Sequence, residues 1–217
     1  MTKPPFWAVI FDMDGVIADS EPTYLEAINV MLAPTGHRMS EQQYEEVIGS
    51  SIKYTWETIL KTFGLKGDME EYIRRYDQAL VEMLRRPRPL LPGVRELLAE
   101  LRRLRLPAAL ATSSLKAWAE ALLQATGLDG AFDAVVWREM VERAKPAPDL
   151  FLRAAELVGV EPARCIVLED TAPGLEAAKA ARMLAVQVRS ASTALPPQPN
   201  ADLVLDSLEH FPLELVG

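Results

Sequence analysis

The sequence predicts an α/β protein built on a doubly wound parallel sheet, with an all-helical segment inserted into it. Short, continuously apolar runs alternate with helical segments along most of the chain, which is typical of a parallel sheet covered on both faces. Between Ser20 and about Arg88 this alternation stops and apolar residues recur only at helical spacing. A length of 217 residues is enough for a core domain with a smaller insert.

The predicted strands are short apolar runs that are bounded by turn or helix signals. The first of them combines β-branched and aromatic residues without a polar interruption, as buried parallel strands do. In chain order the predicted strands are Trp7–Phe11, Pro107–Ala111, Ala134–Trp137, Cys165–Glu169, Leu184–Val188 and Asp202–Leu205.

The inserted segment contains four predicted helices. Ser40 followed by Gln43 is a capping-box pattern at the start of the second helix. We therefore expect residues 1–18 and 89–217 to form the core domain and residues 19–88 to form a helical domain. The predicted helices of the insert are Glu21–Leu32, Ser40–Ile48, Ile52–Phe63 and Met69–Arg85, and Pro92-Gly93 opens a core helix that runs through Leu104.

Two carboxylates, Asp12 and Asp14, follow the first predicted strand directly. Residues two apart on an extended backbone point to the same side, and Gly15 lets the chain turn sharply behind them. Such a pair suits a divalent cation, or a reaction that needs one nucleophile and one proton donor. A solvated loop is the alternative, whereas the spacing excludes an EF-hand because Thr23 stands where that loop needs its glutamate.

Three further loops deliver polar groups after predicted strands or before predicted helices. They contain Thr112-Ser113-Ser114, Lys145 and Glu169-Asp170. Ligands of open α/β sheets bind beyond the carboxyl ends of the strands, so we expect these loops and the first one to converge.

Taken in order, Asp12-Met13-Asp14-Gly15, Thr112, Lys145 and Glu169-Asp170 resemble the four motifs of the haloacid dehalogenase superfamily of phosphatases and phosphomutases. The resemblance runs from about Phe6 to Val188. It implies that Asp12 is the nucleophile that forms an aspartyl-phosphate, and that Asp14 protonates the leaving oxygen and later deprotonates water.

The resemblance also implies a cofactor and a phosphate-binding set. Mg²⁺ would be held by Asp12, Glu169 and Asp170 and by the backbone carbonyl of Asp14. Thr112 and Ser113 would bind the phosphoryl group, and Lys145 would neutralise its charge. The four motifs bear on different parts of one reaction, which favours a site over separate loop residues.

The resemblance makes the helical insert a cap that closes over the reacting groups and excludes water. A bundle that only fills one edge of the sheet is the alternative. Within this segment, Tyr24, Gly49 and Lys53 are the candidate substrate-specificity residues.

Through Asp19-Ser20-Glu21-Pro22 and Lys145-Pro146-Ala147-Pro148-Asp149, the chain resembles the β-phosphoglucomutase-like sub-group. Its mutases carry a histidine at the position of Tyr24 and an arginine in the cap loop, where this chain has Ser51, Ile52 and Lys53. We therefore expect a phosphatase acting on a small, sugar-phosphate-like metabolite. A phosphosugar mutase is the alternative, a catalytically silent phosphometabolite-binding protein is the non-enzyme alternative, and a dehalogenase is less favoured.

Composition limits the partners. The 31 acidic and 23 basic residues give a formal net charge of −8, which would repel nucleic acid and anionic membranes. The expected partner is a small-molecule phosphate ester, and the expected location is the cytoplasm. A monomer is the default state, with an oligomer as the alternative. Cys165 is the only cysteine, so an internal disulfide is excluded. Arg182 stands where the family commonly has glycine after a helix, which leaves the local turn geometry in question.

Overall fold

The computed structural model describes residues 5–48, 50–189 and 196–217. The chain divides into two compact units, one formed by Met1–Asp19 with Pro87–Gly217 and the other by Ser20–Arg86. In the first, which we call the core unit, the backbone amide of Leu91 donates a hydrogen bond to the carbonyl of Ile17 at 2.9 Å. Across the part of the chain that is described, no helix combines the length and the apolar character needed to cross a membrane.

A six-stranded sheet forms the centre of the core unit, and every neighbouring pair of strands is parallel. The spatial order β3-β2-β1-β4-β5-β6 places the first strand in the interior and confirms the predicted doubly wound sheet. Each strand lies within one residue of its predicted bounds at both ends. The strands are β1 (Ala8–Phe11), β2 (Ala108–Ala111), β3 (Ala134–Val136), β4 (Cys165–Glu169), β5 (Leu184–Val188) and β6 (Leu203–Leu205).

Among its described residues, the core unit contains the α-helices α5 (Val94–Leu104), α6 (Lys116–Thr126), α7 (Asp149–Val158) and α8 (Ala172–Ala180), which follow α1 to α4 of the second unit in chain order. Helices α7 and α8 contribute fully buried side chains to one cluster with the strands. In that cluster Phe151 of α7 and Leu175 of α8 lie with Ile10 of β1 and Val167 of β4. Successive side chains of a strand point to opposite faces of the sheet, and Ile10 and Val167 both point to the face that this cluster covers.

The second unit, which we call the helical unit, contains α1 (Glu21–Leu32), α2 (Glu41–Glu45), α3 (Ile52–Thr62) and α4 (Met69–Leu84). The Ser40–Gln43 capping box is present at the start of α2. Trp56 is fully buried and its ring stacks on Tyr72 at 5.4 Å between centroids. Helix α2 is shorter than the predicted 40–48, because the amide of Val47 turns back to the carbonyl of Tyr44 and the regular helix ends.

Arg182 has a φ of 60°, in the left-handed region, directly after the turn that ends α8. The turn is closed by the amide of Met183, which donates to the carbonyl of Ala178 at 3.0 Å. A side chain costs roughly 1–2 kcal/mol in this conformation, which glycine would avoid. The left-handed turn is therefore kept with arginine in place of glycine. The helix begins at Ala172, with Thr171 as its N-cap.

Candidate active site

The site forms where the strand order reverses around β1, at the carboxyl ends of the parallel strands. Asp12 follows β1, Thr112 follows β2 and Glu169 is the last residue of β4. The backbone amide of Asp12 donates to the carbonyl of Leu168 at 2.8 Å, so the ladder between β1 and β4 continues to the first carboxylate. The sheet thus brings residues that are far apart in sequence to one edge.

Lys145 joins two of these carboxylates. Its Nζ forms an ion pair with Oδ1 of Asp12 and a second with Oε1 of Glu169 at 2.9 Å. The Lys145 side chain is 7% exposed, and its Nζ lies 4.9 Å from the centroid of the Phe151 ring. Burial disfavours the charged form of the lysine, but Asp12 and Glu169 outweigh that effect and raise the pKa of Lys145. The lysine is therefore a fixed cation.

Burial raises the pKa of Asp12 above its usual range, and the neighbouring carboxylates Glu169 and Asp14 raise it further while Lys145 opposes them. The same causes act on Asp170, whose pKa is raised by burial and then by Glu169 and Asp12. Because several buried carboxylates surround one ammonium group, the site carries excess negative charge. Such a cluster is suited to a cation that compensates for this charge.

Glu169 is held from several directions. Its Oε2 accepts hydrogen bonds from the backbone amide of Thr171 and, at 2.9 Å, from the Thr171 hydroxyl. Its carboxylate lies so close to Gly174 that a Cβ there would sit 1.8 Å from Oε1. The start of α8 therefore defines where this carboxylate lies, and only glycine leaves room for it.

Asp170 packs in the same way against the turn after the first motif. Gly15 has a φ of +78°, and a Cβ on it would lie 2.1 Å from Oδ2 of Asp170. Oδ1 of Asp170 is buried and has no hydrogen-bond partner among the described residues. A buried carboxylate oxygen without a donor is costly, and a bound cation would remove that cost.

The donor set of the site fits a metal ion. Asp12, Glu169 and Asp170 each offer a carboxylate oxygen, and these oxygens lie within 4.8 Å of one another. An all-oxygen set with an orphaned carboxylate oxygen suits a hard divalent cation. The acidic cluster could therefore hold one metal ion.

Asp14 has a different partner. Its Oδ2 accepts a hydrogen bond of 2.8 Å from the hydroxyl of Ser114. The amide of Ser114 in turn donates to Oγ1 of Thr112 at 3.0 Å, which leaves the Thr112 hydroxyl hydrogen available as a donor. Thr112 and Asp14 are thus brought together through a serine that the sequence did not single out. Its one signal was its place as the third hydroxyl of the Thr112 loop.

The hydroxyls of Thr112-Ser113-Ser114 lie in the loop after β2 and not in the first turn of the next helix. Helix α6 begins at Lys116 after Leu115, and the backbone amide of Lys116 donates to both carboxylate oxygens of Glu139, at 3.0 and 3.1 Å. Glu139 therefore provides the cap. Thr112 is buried and Ser113 is exposed, so the two predicted phosphate-binding hydroxyls are in different environments.

The predicted specificity residues belong to the helical unit. Tyr24 is buried in α1 and Lys53 is exposed in the first turn of α3. Gly49 lies outside the described residues. Thr171 and Gly174, which hold Glu169, were not predicted as site residues, because their contacts with it arise only once β4 and α8 are in place.

The chain is similar in sequence and in fold to known proteins. The fructose-1-phosphate phosphatase YqaB of Escherichia coli is 38% identical over 187 residues, which cover 83% of this chain and 95% of that protein. The β-phosphoglucomutase of Bacillus subtilis is 32% identical over 217 residues, which cover 96% of this chain and 93% of the mutase.

The crystal structure of CbbY from Rhodobacter sphaeroides in complex with phosphate has a TM-score of 0.82 and 28% identity, and the match covers 94% of this chain and 96% of that one. A family model described as haloacid dehalogenase-like hydrolase matches residues 7–182. The buried acidic cluster, the lysine that bridges it and the parallel sheet beneath them are thus those of a chain that belongs to the haloacid dehalogenase-like hydrolase family.

Proposed function

We propose that the protein is a Mg²⁺-dependent phosphatase that hydrolyses a small, sugar-phosphate-like metabolite through a phosphorylated Asp12. One observation carries the proposal. The two carboxylates of the first motif have separate partners, since Asp12 is paired with Lys145 and Asp14 with the Ser114 hydroxyl. That division suits one nucleophile beside a cation and one proton carrier.

The reaction proceeds in two displacements. A carboxylate oxygen of Asp12 attacks phosphorus, the bond between phosphorus and the ester oxygen breaks, and Asp14 donates its proton to the departing oxygen. A water molecule then gives a proton to Asp14 and attacks the same phosphorus. The bond to Asp12 breaks, and inorganic phosphate and the original carboxylate are regenerated.

The phosphoryl oxygens need positive charge and hydrogen-bond donors throughout. Lys145 supplies the charge from a buried position, and the Thr112 hydroxyl supplies a donor, with Ser113 on the same loop as a second hydroxyl. Positioning and charge stabilisation of this kind dominate phosphoryl transfer.

Asp12, Glu169 and Asp170 would hold the metal through carboxylate oxygens, with the backbone carbonyl of Asp14 as a further ligand. Mg²⁺ is proposed because an oxygen donor set and a phosphate ester suit it, and when bound it would neutralise charge on the phosphoryl oxygens. The unpartnered Oδ1 of Asp170 supports a metal at this place.

The residues of the helical unit favour a phosphatase over a phosphomutase. A mutase must hold a bisphosphate at both ends, and the arginine expected for that task is absent from residues 51–53, where Lys53 offers a less directional charge. The relatives include both activities, a fructose-1-phosphate phosphatase and a β-phosphoglucomutase. We propose that the helical unit, through Tyr24, Gly49 and Lys53, determines which ester is accepted.

The test compares Asp12→Asn with Asp206→Asn, a surface control whose carboxylate pairs with Arg189. Phosphate release is measured with Mg²⁺ on aryl and sugar phosphates, and β-glucose 1-phosphate is also supplied with its bisphosphate to detect mutase turnover. Asp12→Asn should lose activity by a factor of the order of 10⁶, as removal of a nucleophile does, and the control should not.

Two results contradict the proposal. A folded Asp12→Asn protein with appreciable activity excludes the aspartyl-phosphate. A folded wild-type protein that releases no phosphate from any ester, and interconverts none, supports the silent binding protein instead.

A further inference from the structure

We propose that Ser114 is the positioning residue for the proton-carrying carboxylate, and that it determines which oxygen of Asp14 delivers the proton. This inference rests on the proposed function and deepens it. The observation behind it is the hydrogen bond of 2.8 Å from the Ser114 hydroxyl to Oδ2 of Asp14, which joins residues 100 positions apart in sequence.

Ser114 is itself held in place by the neighbouring strands. Its amide donates to Oγ1 of Thr112 at 3.0 Å, and its carbonyl accepts from the amide of Arg138 at 3.1 Å. The amide of Thr112 donates to the carbonyl of Val136, the last residue of β3, at 2.9 Å. With 7% of its surface exposed, Ser114 is buried at the carboxyl edge of β2 and β3. Its hydroxyl is therefore a fixed point and not a solvated loop group.

The backbone that carries Asp14 is fixed as well. The amide of Gly15 donates to the carbonyl of Ala18 at 3.0 Å, and that of Ile17 donates to the carbonyl of Met13 at 2.8 Å, so the turn after β1 is closed on itself. A hydroxyl and a carboxylate on two such anchored segments have little freedom to separate. The hydrogen bond therefore fixes the orientation of the carboxyl group relative to the edge of the sheet.

The direction of this bond has a chemical consequence. A carboxyl group has two oxygens, and the one that accepts from Ser114 keeps that role whether or not the group is protonated. The proton is then carried by Oδ1, so the Ser114 bond survives both proton transfers of the cycle. Serine at this position orients the acid without competing for its proton.

Loss of that orientation should act on one step in particular. Protonation of the leaving oxygen matters most when the leaving group is a poor one, such as the alkoxide of a sugar, and least for a nitrophenolate. Misplacement of a reacting group by about 1 Å can cost 10²-fold. We therefore expect Ser114→Ala to lower kcat/KM by about 10-fold to 100-fold for alkyl and sugar phosphates and by less than about threefold for 4-nitrophenyl phosphate.

The experiment measures kcat/KM, which reports the formation of the phosphorylated Asp12, for a series of monoesters of graded leaving-group pKa. Ser114→Ala is compared with Ser114→Thr, which keeps a hydroxyl, and with Thr126→Val, which removes a buried hydroxyl bonded to the carbonyl of Leu122 at 2.8 Å. The dependence on leaving-group pKa should steepen in Ser114→Ala, return toward wild type in Ser114→Thr and stay unchanged in Thr126→Val. Thermal unfolding of each variant shows that it is folded.

An equal loss for every ester, or no loss for any, in a folded Ser114→Ala protein overturns the inference while the proposed function stands. An inactive wild type, or an active Asp12→Asn variant, overturns the proposed function instead.

Discussion

Gly174 gives the sharpest test of how the site is built. It is the third residue of α8, and its backbone is not in the left-handed region, so the helix itself has no need of glycine there. At an ordinary helical position, alanine in place of glycine stabilises by about 1 kcal/mol. Here a Cβ would lie 1.8 Å from Oε1 and 1.9 Å from Cδ of Glu169, so Gly174→Ala must displace that carboxylate.

The displacement breaks contacts that a buried charge cannot replace. Glu169 is 1% exposed and loses its ion pair with Lys145 and its hydrogen bonds with Thr171. Breaking a buried ion pair costs about 3–5 kcal/mol, and the helical preference for alanine returns about 1 kcal/mol of that. We therefore expect Gly174→Ala to lower the free energy of unfolding by about 2–4 kcal/mol and to reduce phosphatase activity with it.

The change in the free energy of unfolding is measured by urea unfolding of the wild type, Gly174→Ala, Glu169→Ala and the double variant. In Glu169→Ala the carboxylate is absent, so the further change Gly174→Ala should be neutral or should stabilise by about 1 kcal/mol. The sign of the glycine substitution should therefore reverse between the two backgrounds. Gly174→Ala alone with the stability and activity of the wild type would refute the reasoning, as would the same loss in both backgrounds.

Two further predictions concern the metal and the helical unit. Mg²⁺ at 100 times its Kd should stabilise the wild type by about 2.7 kcal/mol in thermal unfolding, and Asp170→Ala should lose that effect while Asp206→Asn keeps it; an unchanged Mg²⁺ effect in Asp170→Ala would contradict the ligand role of Asp170. Lys53 is exposed in the first turn of α3, where the helix dipole disfavours a cation, so its charge does not serve that helix. Lys53→Ala should lower kcat/KM selectively for substrates with a second anionic or hydroxyl-rich group and leave aryl phosphates nearly unaffected, whereas Lys66→Ala, at another exposed position, should change neither. An equal loss for all substrates would count against a specificity role for Lys53.

The strands were predictable because each is a short, mainly apolar run, and in the interior strands β1, β2 and β4 every residue is buried. The motif loops were predictable for a related reason, since parallel strands present their carboxyl ends at one edge. The contacts between these loops could not be predicted from the sequence. Which hydroxyl after β2 reaches Asp14 depends on the path of that loop, and Glu139 caps α6 from 23 residues away in sequence. The path of the loop buries Ser114 and leaves Ser113 exposed, and the sequence alone does not give that path.

The hydrogen bond between Leu91 and Ile17 has a consequence for how such proteins diversify. It holds the point where the chain leaves the core unit next to the point where it returns, with the amide nitrogen of Leu91 2.9 Å from the carbonyl oxygen of Ile17. The entropy of closing an inserted loop rises by only about 0.6 kcal/mol for each doubling of its length. A core with its insertion ends already adjacent can therefore exchange one inserted segment for another of different length at little cost in stability. Under the proposed function, in which the helical unit selects the ester, such an exchange would change the substrate preference while Asp12 and Glu169 stay in place.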